Sequence, residues 1–282
     1  MIRNYGQRYT FPILVWLTVF FVIPFSIILV GSFLGKGLYG GFEPVFSLDA
    51  YSTMFSDTMR KVTVNTIFIS VATTVITVLI AIPTAYHIAR SRYKEKLLFL
   101  VIIPFWTNFL IRIFAWIAVL GNNGLVNTFF VSIGLFSAPV QLLYNRWAII
   151  VIMIYTSLPF AILPLYAVIE KFDFSLLEAA RDLGATKSQS MYKILIPLII
   201  PGISTAVLFT FIPAFGNFAI PDIVGGTDVR MLGNIINERL KTARNWPSAA
   251  AISMVLTTIS VVMVLVFNRI TSSKERKIGG TA

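Results

Sequence analysis

Cysteine is absent from the 282 residues of this chain, and the single histidine is His87. Without thiols, neither a disulfide framework nor a thiolate metal site can form. A lone imidazole with no carboxylate cluster beside it is typical of an interfacial residue, not of a metal ligand. Charged residues are also scarce, at 12% of the chain against about 25% in ordinary globular domains. The hydrophobic share of 57% and the mean hydropathy of +0.83 therefore indicate a membrane protein.

Apolar stretches long enough to cross a membrane occur six times along the chain. A helix that crosses about 30 Å of hydrocarbon needs about 20 mostly apolar residues. The stretches cover residues 11–34, 62–89, 97–120, 147–169, 197–220 and 247–267. The first is too long for a signal peptide and has no small-residue cleavage site after it, so we expect a retained anchor helix. The sequence thus predicts an all-α polytopic membrane protein with six transmembrane helices.

The distribution of Lys and Arg predicts the orientation. With both termini on one side, that side carries 14 of the 23 basic residues, the other side carries 8, and Arg112 lies within a stretch. Cytoplasmic loops carry the excess of Lys and Arg, so we expect both termini, and the polar segment near Glu178, in the cytoplasm. Much of the net charge of +11 is this orienting bias, and we expect no nucleic-acid partner.

Motifs for nucleotide or metal chemistry are missing. The segment Gly184-Ala185-Thr186-Lys187-Ser188 lacks the second glycine and the length of a phosphate-binding P-loop, and no HExxH zinc motif occurs. We therefore expect no cofactor on this chain and no catalysis by it. Any ATP hydrolysis would take place on a partner, which would bind ATP and magnesium.

Local patterns predict several further features. Prolines lie inside the stretches at positions 104, 159, 164, 201 and 213, and the carbonyls they free must be satisfied by neighbouring helices or a wet cavity. Asp222 and the pair Gly225-Gly226 predict an irregular outward loop. Leu232, Ile235, Ile236 and Leu240 share a helical face within residues 231–242, which predicts a short amphipathic helix at the outer surface.

The polar segment between the fourth and fifth stretches has two helix-start signals. Ser175 with Glu178, and Thr186 with Gln189, have the spacing of capping boxes. Gly184 between them suits the left-handed residue that ends a helix. We therefore expect a helix, a tight turn and a second helix that leads into Pro197 and the fifth stretch.

This segment resembles the cytoplasmic loop of bacterial ABC-importer permeases. The matching positions are Glu178, Ala179, Ala180, Gly184, Ile194, Ile196 and Pro197, with Ile196 where the family usually has Leu. The resemblance implies the six-helix transmembrane domain of a type I ABC importer, also called MetI-like. It also implies that the loop docks into an ATPase subunit. The coupling residues it implies are Glu178, Ala179, Ala180, Arg181, Asp182 and Gly184.

The resemblance extends along nearly the whole chain to permeases of spermidine/putrescine importers. It is carried by residues 104–108 with Ile111-Arg112, by residues 158–166, and by Pro221-Asp222 through Gly226. It implies a second, different permease subunit, an ABC ATPase dimer and an external polyamine-binding protein. The implied location is the bacterial inner membrane.

Residues for a polyamine pathway are few. Trp106 and Asn108, with Asp222 at the outer end, are the candidates, because a polycation favours carboxylates and aromatic faces. Arg112 is unexpected there, since an arginine near mid-membrane costs about 2.5–3.5 kcal/mol on insertion scales. Three explanations remain open for Arg112: it pairs with a carboxylate of the partner permease, it extends toward an interface, or the substrate is an anion. We favour the pairing.

Alternative functions stay open at this point. A related importer permease for iron, thiamine or an oxyanion would share the fold and the loop. A secondary carrier should show inverted repeats and buried ionisable groups, and a membrane-embedded enzyme needs a convergent catalytic set; the sequence shows neither. We expect an anchor helix and outward loop over residues 1–61, a permease core over 62–270 with the coupling loop at 170–197, and a cytoplasmic tail over 271–282.

Overall fold

The computed structural model describes residues 5–226 and 229–279, and describes side chains only between residues 10 and 269. Arg3 and the side chains of Arg8, Lys274, Arg276 and Lys277 thus lie outside the described part. The helices, in chain order, are α1 (Tyr5–Leu17), α2 (Ile23–Gly31), α3 (Asp49–Ser52), α4 (Asp57–Arg90), α5 (Lys94–Ile102), α6 (Phe109–Leu120), α7 (Leu125–Ser132), α8 (Arg146–Ile169), α9 (Ser175–Asp182), α10 (Lys187–Ser190), α11 (Ile196–Leu198), α12 (Ile200–Phe215), α13 (Ala219–Val224), α14 (Leu232–Lys241) and α15 (Trp246–Gly279).

Among the described residues, five helices are long and apolar enough to cross a membrane, and a bent pair of helices brings the number to six. This agrees with the six-helix fold predicted from the apolar stretches. The chain divides into two compact units. One contains residues up to 63 together with 232–259, and the other contains residues 64–231 together with those from 260 onward.

The first unit starts with one continuous apolar helix, in which a π-helical turn (Thr18–Val22) joins α1 to α2. A short antiparallel hairpin follows, formed by β1 (Leu34–Lys36) and β2 (Phe42–Phe46). This hairpin was not predicted, because three- and five-residue strands are too short to show a clear alternation. The helix predicted at 231–242 is confirmed as α14. Leu232 and Ile235 of its predicted apolar face are buried, whereas Leu240 of that face is exposed.

The second unit is built around α8, along which α12 packs. At Gly202 of α12 an added Cβ would lie 3.1 Å from Cγ2 of Val168 on α8. Small residues allow this close backbone approach between membrane helices. Two groups of buried side chains fill the unit. One surrounds Ile149 and Met153, and the other surrounds Leu165 and Ile169 near the end of α8 that leads to the polar segment.

The third predicted stretch is not one helix. The structure ends α5 at Ile102, continues as a 3-10 turn (Ile103–Trp106), and restarts at Phe109 as α6. The expected span at 97–120 was therefore wrong in its bounds, and the apolar candidate runs from Phe109 to Ser132 across α6 and α7. Pro104 has no N–H to continue the helix, and Thr107 is extended with ψ 147°. The proline and the cap that follows it outweighed the uninterrupted hydrophobicity.

The fifth stretch is bent, as its prolines predicted. The helical segment Lys187–Leu198 meets α12 at 71°, with Ile199 at the bend. Pro201 cannot donate a hydrogen bond to the carbonyl four residues earlier, and its ring crowds that carbonyl. The polar segment therefore leaves the apolar core at an angle to α12.

Candidate functional site

Helix α9 carries most of the predicted coupling residues, but its start differs from the prediction. Ser175 is the first residue of the helix and its side chain makes no cap, so the Ser175–Glu178 capping box was wrong. Instead, the Ser175 N–H donates to Oδ1 of Asp173 at 3.0 Å. Hydrogen bonds from the Ser175 hydroxyl and N–H lower the pKa of Asp173. Asp173 thus accepts the hydrogen bond at the start of the helix, two residues before Ser175. The Glu178 side chain is exposed.

The end of α9 confirms the role predicted for Gly184. Its φ is +89°, a conformation that costs residues with a Cβ about 1–2 kcal/mol. The Ala185 N–H donates to the carbonyl of Ala180 at 3.0 Å, and the Gly184 N–H donates to the carbonyl of Arg181 at 2.9 Å. This pair of bonds is the Schellman motif. It satisfies two carbonyls at the helix end and fixes the turn.

The second helix starts with the predicted capping box. The Gln189 N–H donates to Oγ1 of Thr186 at 3.2 Å, and the Thr186 N–H donates to Oε1 of Gln189 at 3.0 Å. After α10, a π-helical turn (Met191–Leu195) continues into α11. The segment is thus a rigid helix–turn–helix, in which the end of α9 and the start of α10 are both capped.

Leu177 anchors α9 to the rest of the second unit. Its side chain is 2% exposed and belongs to the buried group that contains Ile169, Leu195 and Ile199. The role of Leu177 was not predicted. Its signal was a leucine that does not share the helical face of Glu178 and Asp182, but the adjacent Leu176 has the same property.

The face of α9 opposite Leu177 is exposed. Leu183 is 90% exposed and Leu176 is also exposed, next to the exposed residues Glu178, Ala179 and Asp182. We call these five residues the α9 face. Ala180 is half-buried, and so is Arg181, whose Nε is buried without a hydrogen-bond partner among the described residues. Exposed leucines beside carboxylates form a surface suited to another protein.

Three of the four predicted pathway residues, Trp106, Asn108 and Arg112, lie at or next to the break between α5 and α6. Trp106 is 74% exposed and meets the ring of Phe99 edge-on, with 5.7 Å between ring centres. Asn108 caps α6, because its Oδ1 accepts from the N–H of Leu110 at 2.8 Å. Asp222 lies apart from them along the chain, on α13. It was expected in an irregular loop, but Pro221 fits the first turn of this short helix. The loop starts only at Gly225.

Arg112 is held between aromatic rings. Its guanidinium carbon lies 4.7 Å from the ring centre of Phe105 and 5.9 Å from that of Phe109. Its Nε and one terminal nitrogen are buried and have no hydrogen-bond partner within the described ranges. A guanidinium over a phenyl face is stabilised by the ring quadrupole, by about 2 kcal/mol when desolvated. This contact was not predicted, although Phe105 stood in the motif used for the resemblance.

The chain is similar in sequence to known transport proteins. The chain is 37% identical to the spermidine/putrescine transport system permease protein PotB of Haemophilus influenzae over 281 residues, which cover 99% of this chain and 98% of that protein. It is 36% identical to PotB of Escherichia coli over 93% of this chain and 96% of that protein. The identity to PotC of Shigella flexneri is 25% over 92% of each.

Solved structures of similar fold come from bacterial alginate ABC transporters. In a crystal structure of the importer of this acidic polysaccharide, a chain superposes with a TM-score of 0.74 and 20% identity, covering 96% of each chain. In a second, complexed with an alginate-pentasaccharide-bound periplasmic protein, the TM-score is 0.77, over 95% of this chain and 94% of that one. Residues 3–271 match the family described as the binding-protein-dependent transport system inner membrane component. The chain therefore belongs to this family of multi-pass inner-membrane permeases.

Proposed function

We propose that this chain is one of two transmembrane subunits of an ATP-driven polyamine importer. The relatives named above, 36% and 37% identical over more than nine-tenths of the chain, are spermidine/putrescine permeases. A separate ATPase dimer binds ATP and magnesium, so this chain is non-catalytic and carries no cofactor. Closure of that dimer moves the spans between inward-open and outward-open states. An external binding protein delivers the substrate, and both termini lie in the cytoplasm.

The observation that carries this proposal is the construction of α9. Asp173 accepts the first N–H of the helix, the Gly184 turn closes its other end, and Leu177 anchors it, yet Leu183 and Leu176 stay exposed. A short rigid helix with an exposed apolar face can bind a partner and pass the partner's movement to the spans without bending. In this proposal the α9 face sits in a groove of the ATPase subunit, and Glu178, Arg181 and Asp182 supply polar contacts around the leucines.

The docking role is tested by charge placed on the α9 face. We expect Leu183→Asp to prevent recovery of the ATPase when the tagged chain is purified from cells that also express its ATPase, second permease and binding protein. Leu38→Asp is the matched control, because Leu38 is 91% exposed and lies in the hairpin loop of the other unit. Equal ATPase recovery with Leu183→Asp and Leu38→Asp would refute docking through the α9 face.

The substrate is tested separately. Proteoliposomes that hold this chain, the second permease and the ATPase should accumulate radiolabelled spermidine when ATP and the binding protein are added. The related alternative is an anion importer, favoured by the two Arg112 nitrogens that have no hydrogen-bond partner among the described residues. Uptake of an oxyanion by the same vesicles, without uptake of spermidine or putrescine, would establish that alternative. Uptake without an ATPase would instead indicate a secondary carrier.

A further inference from the structure

The polypeptide connects α9 directly to only two spans. Upstream it leads back to α8, and downstream it continues through α10 and α11 into α12. The helices α4 and α5 are joined to α9 by no short stretch of chain. Any movement that reaches α4 and α5 from α9 must pass through side-chain contacts.

An ion pair makes one such contact. Nζ of Lys94, the first residue of α5, lies 2.7 Å from Oε1 of Glu170, which follows α8. The Tyr166 hydroxyl also bonds to this carboxylate, and both bonds lower the pKa of Glu170. The same ion pair raises the pKa of Lys94. The two charged side chains are 44% and 38% exposed, and pairs this exposed add little to stability. Their significance lies in what they connect.

An aromatic contact makes the second connection. The guanidinium carbon of Arg90, the last residue of α4, lies 5.5 Å from the ring centre of Phe174, the residue immediately before α9. The Arg90 guanidinium also donates to the Tyr86 hydroxyl at 3.0 Å. The Tyr86 and Phe174 rings meet edge-on at 5.8 Å. Phe174 therefore packs against two side chains from one turn of α4.

The spacing of the two connections constrains how the two segments are oriented relative to each other as well as where they meet. Arg90 and Lys94 flank the short loop between α4 and α5, and Glu170 and Phe174 flank the segment between α8 and α9. A single contact would act as a pivot about which the loop turns. Two contacts, four residues apart on each segment, oppose that rotation, and Ile88 of α4 and Leu177 of α9 also share one buried apolar group.

We propose that the Arg90–Phe174 and Lys94–Glu170 contacts form a clamp that carries the movement of α9 into α4 and α5. The clamp rests on the proposed docking function, since it has a role only if an ATPase moves α9. It extends the reach of α9 from two spans to four helices. Helix α5 leads from the clamp to the break that precedes α6, where the Arg112 guanidinium lies over the Phe105 ring.

Charge reversal separates a clamp from a merely structural pair. We expect Lys94→Glu to lower spermidine uptake per ATP hydrolysed at least about fivefold, the lower end of typical allosteric couplings. The double variant Lys94→Glu/Glu170→Lys should restore the ratio to within about twofold, because the pair re-forms with reversed signs. Lys96→Glu is the charge-matched control, since the Lys96 ammonium lies over the Tyr93 ring and takes no part in the Lys94–Glu170 pair. An unchanged ratio in Lys94→Glu, or no rescue by the double variant, would overturn the proposal.

Recovery of the ATPase distinguishes this proposal from the docking proposal. Lys94→Glu should purify with a full complement of ATPase, whereas failure of docking would remove the ATPase itself. The absence of cysteine gives a second test. Lys94→Cys/Glu170→Cys, joined by a reducible bis-thiol-reactive linker, should keep transporting, because the clamp stays closed throughout the cycle. Transport that stops on linking and returns on reduction would show that the segments separate, and would refute the clamp.

Discussion

The guanidinium carbon of Arg112 on α6 lies 4.7 Å from the ring centre of Phe105 on the 3-10 turn after α5. The two residues stand on opposite sides of the break at Thr107 and Asn108. Their contact therefore links two helical segments that the backbone no longer joins by helical hydrogen bonds. It also leaves two guanidinium nitrogens without a partner among the residues that the structure describes.

Replacement of Arg112 tests whether those nitrogens face the second permease. We expect Arg112→Met to reduce the amount of second permease that purifies with the tagged chain, because a partner carboxylate would lose its counter-charge. Arg112→Lys should retain more of it, since it keeps the charge but loses the planar face. Full recovery with Arg112→Met, together with a lower spermidine concentration for half-maximal uptake, would place the arginine in the pathway instead.

Gly184 offers a test of the rigid turn after α9. We expect Gly184→Asp to abolish uptake while the chain still inserts into the membrane, because it strains the left-handed residue and adds charge beside the α9 face. Gly134 is a matched control: it follows α7 with the same pair of Schellman bonds, its φ is +74°, and a Cβ there also meets nothing within 4 Å. If Gly134→Asp impairs uptake equally, general strain accounts for the result, and the turn has no special role.

Asn108 was predicted to line the pathway and caps α6 in the structure. We expect Asn108→Ala to lower the thermal midpoint of the purified complex, since losing a side-chain cap costs about 1 kcal/mol. Asn108→Ser should recover both midpoint and uptake, because a hydroxyl also accepts the Leu110 N–H. Normal stability with impaired uptake in Asn108→Ser would show that the amide itself contacts the substrate.

Trp106 and Asp222 remain the candidates for contact with a polycation. We expect Trp106→Ala and Asp222→Asn to raise the spermidine concentration needed for half-maximal uptake, with little change in maximal rate. Trp147→Ala is the control for Trp106, because Trp147 is also largely exposed and makes an edge contact with one ring, that of Phe68. An effect as large in Trp147→Ala would remove Trp106 from the pathway.

The carboxylate of Asp173 makes the start of α9 sensitive to acid. Its pKa is lowered from 3.8 by the hydrogen bonds from Ser175. The stability it adds is therefore complete above pH 3.8 and is lost as the pH falls through the lowered value. We expect ATPase recovery to be weaker in Asp173→Ala and near normal in Asp173→Asn, whose carbonyl still accepts the N–H, when both are assayed at pH 7. Equal recovery in wild type and Asp173→Ala would show that this cap does not support docking.

Local signals were sufficient to predict the helix–turn–helix after α8. Gly184 and the Thr186–Gln189 pair act within a few residues, so their hydrogen bonds depend only on the sequence nearby. The bend at Pro201 follows in the same way from a missing N–H. Hydropathy likewise indicated six spans, because the bilayer imposes one length on every crossing helix.

The positions of the caps and breaks were less predictable, because several residues compete for each role. Asp173 took the capping position that Ser175 was expected to hold. Pro104 and Asn108 split a stretch whose hydrophobicity alone indicated one helix. Hydropathy averages over a window of residues, whereas one missing donor or one well-placed acceptor decides where a helix ends.

Contacts between residues far apart in the chain were decided only by the tertiary structure. The sequence by itself determined a polytopic helical protein with a capped polar segment, through composition and short-range hydrogen bonding. It did not show that Leu177 is the buried leucine of α9, that Arg90 contacts Phe174, or that Lys94 meets Glu170. Such pairs depend on how α4, α5 and α8 pack together, and packing brings side chains into contact without leaving any periodic trace in the sequence.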